Sequence, residues 1–265
     1  MKPLSKALIP CGGKGTRMAS LTHGGAKELL PIGGVPLVLR VMEECSASGA
    51  DEVLIVSAPG KTDLDEIVRD AAGKQGMPRV VEVVTQKNAR GLADAIRMGR
   101  DFAGAGLLGV ALPDNLFIGD VPALRQLYEV HARTGKNVVA IVELTAENKN
   151  KYGPTAIYPG KLNGDEFVID SIPDKGPRQS TFDLGGARSA FTGVGRYVFL
   201  PEVFAAIDAI DAQLPAGKEL DDIPVMQLLL QGKALTGCRI RGDFLDVGLP
   251  SGYTEANERL GVPQG

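Results

Sequence analysis

Tryptophan is absent from this sequence, histidine occurs twice and cysteine three times. Cys11, Cys45 and Cys238 are odd in number and widely spaced, with no CxxC or CxxH pairing, so they make neither a disulfide framework nor a zinc site. His23 and His131 lack any partner motif and read as surface or loop residues, not as catalytic bases or metal ligands. No GxSxG elbow occurs, and Cys11 beside Gly12 reads as a small residue packing a tight loop, so covalent catalysis by Ser or Cys is unsupported. Positive charge is not in excess. Lys plus Arg number 29 against 32 Asp plus Glu, for a net charge of −3, so no global field gathers nucleic acid. A local basic pocket for a small polyanion stays open. No apolar run approaches the roughly 18–20 residues of a membrane span, and the opening MKPLSKALIPCGG is interrupted by Pro and Gly too early for a signal peptide. The expectation is a cytoplasmic protein with neither nucleic acid nor membrane as partner. What the chain does have is length and glycine: 265 residues, 44% hydrophobic, with 34 glycines, enough to bury a core without staples.

The first 145 residues alternate between β-type runs and helical patterns. Segments 6–10, 52–57, 79–85, 107–112 and 137–144 are apolar or β-branched runs of the kind buried parallel strands show. Between them, 36–49 carries apolar residues near helical spacing, 63–72 is a polar helix candidate, and 91–102 and 120–134 read as helices. This order predicts an α/β protein with a parallel sheet, helices on both faces and ligands at the carboxyl ends of the strands. After residue 145 the texture changes. Short strands are expected at 152–159, 166–172, 197–200 and 237–244, a polar loop at 178–188, and helices at 201–212, 221–231 and 253–260. No repeat or linker separates the halves, so 1–265 reads as a single domain. Residues 1–145 form its first half, with the ligand-facing strand ends, and 146–265 are a small α+β region that completes the site.

The strongest chemical signal is Pro10-Cys11-Gly12-Gly13-Lys14-Gly15-Thr16-Arg17-Met18, directly after the first strand. Three glycines in four positions let backbone N–H groups approach a triphosphate. The spacing is neither that of a Walker loop nor that of a GxGxxG fingerprint; without a ligand it would be a glycine-rich turn. Ten residues past Arg17 comes Ala26-Lys27-Glu28-Leu29-Leu30-Pro31. A lysine this close behind the turn reaches the same phosphates, or is one more solvated surface lysine. Asp114, in Leu112-Pro113-Asp114-Asn115 at the end of the 107–112 run, is either a turn former or a carboxylate where a metal meets phosphates.

Taken together, GGxGTRM and KELLP resemble the sugar-phosphate nucleotidyltransferase family, and the resemblance covers nearly the whole chain. It implies a Rossmann-like mixed, mostly parallel central sheet of the nucleotide-diphospho-sugar transferase type, with helices on both faces. It also implies joining of a nucleoside triphosphate to a sugar 1-phosphate with release of pyrophosphate. By the same resemblance Gly12, Gly13, Gly15 and Thr16 bind the nucleotide, and Asp114 and Asp246 are the two Mg²⁺ carboxylates. Gln86 and the backbone of Gly91 would read the pyrimidine edge. Gly153 (in Tyr152-Gly153), Asp174 and Glu219 would lie against the sugar. Asp174-Lys175-Gly176-Pro177 stands where the family has Glu-Lys-Pro, and Ala26 stands where it usually has Pro. The segments GVGRY at 193–197 and DVGLPSGY at 246–253 complete the pattern.

The implied reaction is in-line attack by a sugar 1-phosphate oxygen on the α-phosphorus of the triphosphate. The attacking group is already an anion, so no general base is needed, and catalysis reduces to positioning and charge neutralisation. Arg17 would stabilise the α-phosphoryl group and the departing pyrophosphate, Lys27 the nucleotide phosphates and Lys175 the sugar phosphate. UTP with a hexose 1-phosphate, glucose 1-phosphate first, is the expected pair, in a homo-oligomer. The alternatives are dTTP or another nucleotide with a different sugar 1-phosphate, and a non-catalytic nucleotide-sugar sensor. A sensor would have shed charged phosphate contacts, yet Arg17, Lys27, Asp114, Lys175 and Asp246 are all present.

Overall fold

Strands whose alternate residues enter two different cores build the centre of the molecule, described by a computed structural model for residues 3–13, 18–22, 24–152, 156–174 and 182–261. In chain order the elements begin with β1 (Lys6–Pro10), a short helix α1 (Ala19–Thr22), a 3₁₀ turn (Lys27–Leu29), β2 (Pro31–Ile32) and β3 (Val35–Pro36). Next come α2 (Leu37–Ala47), β4 (Glu52–Ser57), α3 (Thr62–Ala71), β5 (Val80–Thr85), α4 (Leu92–Arg97) and α5 (Arg100–Ala103). They are followed by β6 (Leu108–Ala111), β7 (Asn115–Ile118), α6 (Ala123–Thr134) and β8 (Asn137–Thr145). The remainder comprises β9 (Gly160–Asn163), β10 (Glu166–Ile169), β11 (Ser189–Phe199), α7 (Glu202–Asp211), α8 (Asp222–Gln231), β12 (Leu235–Arg239), β13 (Asp243–Asp246) and α9 (Pro250–Leu260).

Nine strands form one sheet in the order β5-β4-β1-β6-β11-β8-β12-β10-β9. Strands β5, β4, β1 and β6 run parallel. β11 enters antiparallel between β6 and β8, and β12 is parallel to β8. The β9–β10 hairpin closes the far edge. Only β10 and β11 oppose the common direction, so this is the mixed, mostly parallel α/β sheet expected. The period of two along each strand divides its side chains. Leu8, Leu54, Val139 and Ile141 join one core with α4, α7 and α8. Ala7, Ile9, Val53, Ile55, Val138 and Ala140 join another with α2, α3 and α6. Both faces are covered, which is why these strands read as unbroken apolar runs.

Several elements differ from expectation, each with a local cause. The helix foreseen at 91–102 breaks into α4 and α5 at Gly99, where an added Cβ would meet Leu8 Cδ1 at 2.6 Å. The run foreseen at 237–244 splits into β12 and β13 at Gly242, whose φ of +132 turns the chain out of the sheet. β13 then pairs with β7, a strand that no sequence pattern announced. The strand foreseen at 197–200 is the end of the eleven-residue β11. Of 152–159, the described part makes only an isolated bridge between Ile157 and Thr192. His131 is a buried helical residue, not a surface one, and its Nδ1 lies 2.7 Å from the Lys136 carbonyl oxygen; His23 lies outside the described residues. Among the described residues no helix is long and apolar enough to cross a membrane.

Candidate active site

The carboxyl end of β1 leads straight into the glycine turn. Cys11 extends the sheet by one bond, its N–H donating to the Val56 carbonyl at 2.8 Å. Its side chain is buried, and that burial pushes the thiol pKa well above its usual value, consistent with packing and not with a nucleophile. The turn is fastened from below by Lys61, at the start of α3. Lys61 Nζ donates to the carbonyls of Cys11 at 2.6 Å and Gly13 at 3.1 Å, and to Glu28 Oε2 at 2.8 Å. Glu28 is fully buried. Sequence reasoning passed over both residues; Glu28 stood inside the KELLP motif, but nothing pointed to Lys61. Gly13 is exposed and faces Lys27, whose Nζ lies 4.0 Å from where a Gly13 Cβ would stand. Gly15, Thr16 and Arg17 lie outside the described residues.

Lys27, Asp114 and Asp246 come together beside this turn. Lys27 Nζ donates to Asp114 Oδ2 at 2.7 Å in a largely enclosed ion pair. The β7–β13 register sets Asp246 opposite Asn115, and the Val247 N–H donates to the Asp114 carbonyl at 2.9 Å. A Cβ on Gly248 would lie 3.0 Å from Asp246 Oδ1 and 3.4 Å from Asp114 Oδ2, so both carboxylates border one small space. Gly252, in the first turn of α9, lets that helix press against the Asp246 carbonyl, where any Cβ would collide. The turn bearing Asp114 is anchored by the irregularity in β11 at 194–197. There Gly195 exchanges bonds with Leu112 and Asn115, and the wholly buried Arg196 donates through Nη1 to the Leu112 carbonyl at 2.9 Å. Arg196 is itself paired with Glu44 of α2 at 2.6 Å. The GVGRY motif therefore shapes the site from behind.

Two strands from β1 across the sheet, Gln86 follows β5 and is buried, its Nε2 donating to Asp94 Oδ2 at 2.8 Å. Gly91, at φ +112, permits a close approach to residue 220, since a Cβ would stand 2.5 Å from the Leu220 carbonyl oxygen. Two backbone bonds seal this contact: Leu220 N–H to the Arg90 carbonyl at 2.5 Å, and Ala93 N–H to the Leu220 carbonyl at 3.0 Å.

The residues expected at the sugar are placed less closely together. Glu219 is exposed on the rim of an open pocket of about 480 Å³, shared with Asn88, Arg90 and Asp211. Asp174 is exposed and accepts from Gln227 Nε2 at 2.9 Å. Among the described residues no hydrogen bond or ion pair joins Asp174 to Glu219. Gly153 and Lys175 lie outside the described residues.

A doubly covered α/β sheet carries the glycine turn after β1 and Asp114 after β6, with Asp246 brought alongside by the β7–β13 ribbon, a layout that belongs to the α/β enzymes with ligand sites at their strand ends. Residues 6–261 match the family model described as Nucleotidyl transferase, and the chain belongs to that family. It is 29% identical over 273 residues to a UTP–glucose-1-phosphate uridylyltransferase of Staphylococcus epidermidis, covering 96% of this chain and 91% of that protein. Its fold is similar to that of a UDP-glucose pyrophosphorylase solved with UDP-glucose, with TM-score 0.80, 24% identity and 97% and 98% of the two chains covered. A UTP-bound UGPase of Acinetobacter baumannii superposes with TM-score 0.78 at 20% identity, over 98% of this chain and 95% of that one.

Proposed function

We propose that this nucleotidyltransferase moves the uridylyl group of UTP onto a hexose 1-phosphate, glucose 1-phosphate first, and releases pyrophosphate. The observation that carries the reading is the convergence of Lys27, Asp114 and Asp246 beside the glycine turn, against which Gln86 Oε1 also lies. The uridylyltransferase names of the relatives at 29% identity supply the choice of base and sugar.

The donor set suits a hard divalent cation. Two carboxylates border one space, and among the described residues no group of three or more His, Cys, Asp or Glu side chains could cage a metal. Mg²⁺ commonly takes one or two carboxylates and leaves its other positions to water and substrate phosphate. Asp114 and Asp246 would hold it, and when bound it supplies charge neutralisation at the phosphoryl oxygens. The protein's own residues do the rest. Backbone N–H groups of Gly12, Gly13 and Gly15, with Thr16, cradle the triphosphate. Arg17 and Lys27 draw off charge from the α-phosphoryl group and the departing pyrophosphate. Lys175 orients the sugar phosphate, while Gly153, Asp174 and Glu219 hold the sugar, so that its oxygen stands in line with the α-phosphorus. Gln86 and the Gly91 backbone pair with the base edge.

The test is to offer UTP, dTTP, CTP, GTP and ATP in turn with glucose 1-phosphate and Mg²⁺, following pyrophosphate release and product mass. UDP-glucose should form fastest, with dTTP next, since uracil and thymine present the same pairing edge and a methyl is worth only about 1–3 kcal/mol. Asp114→Asn and Asp246→Asn should each lower turnover by about 10²-fold. Efficient GTP use would overturn the uridylyl reading, and near-normal rates in both variants would overturn the two-carboxylate one.

A further inference from the structure

Gln86 is only 6% exposed, so both ends of its amide must be accounted for. Its Nε2 donates to Asp94 Oδ2 at 2.8 Å and lies 3.5 Å from the Gly91 carbonyl oxygen. A carboxylate at that distance admits one amide orientation, because it carries only lone pairs and must face the NH₂ group. Asp94 cannot turn away. Arg97 Nη2 donates to its Oδ1 at 2.5 Å, and Arg90 Nη1 lies 3.6 Å from the same oxygen. Both arginines are held in turn by Asp211, at 2.6 and 2.5 Å. At the other end of the amide, Gln86 Oε1 lies against Gly12, 2.7 Å from where a Cβ would stand. Among the described residues no donor reaches it. An enclosed amide is thus locked with an unanswered acceptor at the mouth of the glycine turn.

We propose that Asp94 is a positioning residue that fixes Gln86 Oε1 toward the nucleotide base, so that the site takes bases with an N3–H donor and refuses cytosine. The inference rests on the reading that Gln86 faces the base. Uracil and cytosine have nearly the same shape, so a pocket cannot sort them by size. They differ in polarity: uracil donates from N3, whereas cytosine would set a bare lone pair against Oε1. Two enclosed acceptors facing each other give the kind of mismatch that discriminates strongly.

The decisive variant is Asp94→Asn. Arg97 needs an acceptor at the Oδ1 position, so the asparagine carbonyl goes there and its NH₂ faces Gln86. The Gln86 amide must then turn over and present its own NH₂ to the base, which suits cytosine. With Mg²⁺ present, the ratio of UTP to CTP affinity measured by titration calorimetry should fall by about tenfold or more, with CTP binding gained outright. Asp94→Ala, which frees the amide to take either orientation, should reduce the ratio in the same sense and covers the case in which the first variant fails to fold. Gln86→Ala separates the two layers of the reasoning. If it leaves both affinities within about twofold, the reading of Gln86 itself fails. If it weakens UTP binding while both Asp94 variants leave the ratio within about twofold, Asp94 does not position the amide and the base reading survives. A parallel loss of both nucleotides in the Asp94 variants, as a merely structural role would give, overturns the proposal. So does equal affinity of the unsubstituted protein for UTP and CTP.

Discussion

Glu44→Ala should destabilise the protein far more than an ordinary surface charge would. Arg196 is completely buried, and its Nε and Nη2 reach the Glu44 carboxylate at 3.0 and 2.6 Å. Its Nη1 donates to the carbonyls of Leu112 at 2.9 Å and Gly195 at 2.8 Å, and the Phe244 ring centre lies 5.4 Å from the guanidinium. Removing Glu44 leaves this cation desolvated with two donors unanswered. Breaking such a pair costs about 3–5 kcal/mol, against a total stability of about 5–15 kcal/mol for a typical domain. The melting temperature should drop by about 10 °C, at about 2–4 °C per kcal/mol for a chain of this size. Removing both charges with Glu44→Leu and Arg196→Met should restore most of the loss, since a buried pair replaced by apolar groups is often neutral. Activity should not return with it, because the guanidinium also holds the Leu112 carbonyl, two residues before Asp114. Urea midpoints by circular dichroism, with kcat from pyrophosphate release, separate the two effects. A Glu44→Ala cost below about 1 kcal/mol would refute the buried clamp. A double variant both stable and fully active would refute the positioning of Asp114.

Lys61→Met removes the anchor beneath the glycine turn and strands Glu28; the KM for the nucleotide should rise by about tenfold or more, and an unchanged KM would mean that the turn holds itself. Burial pushes the Asp222 carboxyl up to about 7, next to the Tyr197 hydroxyl that donates to it at 2.7 Å. A folded-state pKa above the unfolded value of about 3.9 means that the native form holds this proton more tightly, so its contribution is present at low pH and lost as pH rises toward 7. Asp222→Asn keeps an acceptor for Tyr197, so it should raise the melting temperature at pH 8 and leave it nearly unchanged at pH 4; an equal gain at both would contradict the assignment.

The parallel half of the sheet was readable because β1, β4 and β6 are buried on both faces, and unbroken runs such as 52–57 say so directly. Helix α2 was readable from apolar spacing, α3 as a polar helical stretch, and α6 from its place between two strand runs. What escaped were features created by partners far away in the chain. The β7–β13 ribbon joins residues near 116 to residues near 245; the first segment announced no strand, and the run expected at 237–244 gave no sign of its break at Gly242. Glycine appeared in the sequence as turn chemistry, but at Gly99, Gly242 and Gly252 it marks backbone or side chains pressed together. Arg196 sat inside a recognisable motif, yet its partner Glu44 is 152 positions away, and no local pattern could reveal that its charge is buried. The proximity of Asp114 and Asp246 was expected through family resemblance alone; the register of the β7–β13 ribbon is the physical reason for it. Asp94 went unnoticed because a carboxylate in a helical segment looks like solvated surface until Gln86 is found against it.

The insertion of β11 between β6 and β8 also bears on how the protein is made. A ribosome delivers β6 and β8 long before β11, and in the finished sheet neither of those strands touches the other. Until residue 199 has emerged, the nascent chain carries two strands with unsatisfied hydrogen-bonding edges. Such edges invite pairing with the wrong chain, and the danger lasts as long as translation of the intervening segment. The gap between β6 and β8 therefore closes late in synthesis, and the gap between β8 and β10, filled by β12, closes later still. Protection of these gaps during synthesis, by a chaperone or by slow local collapse, becomes part of what the sequence has to provide for.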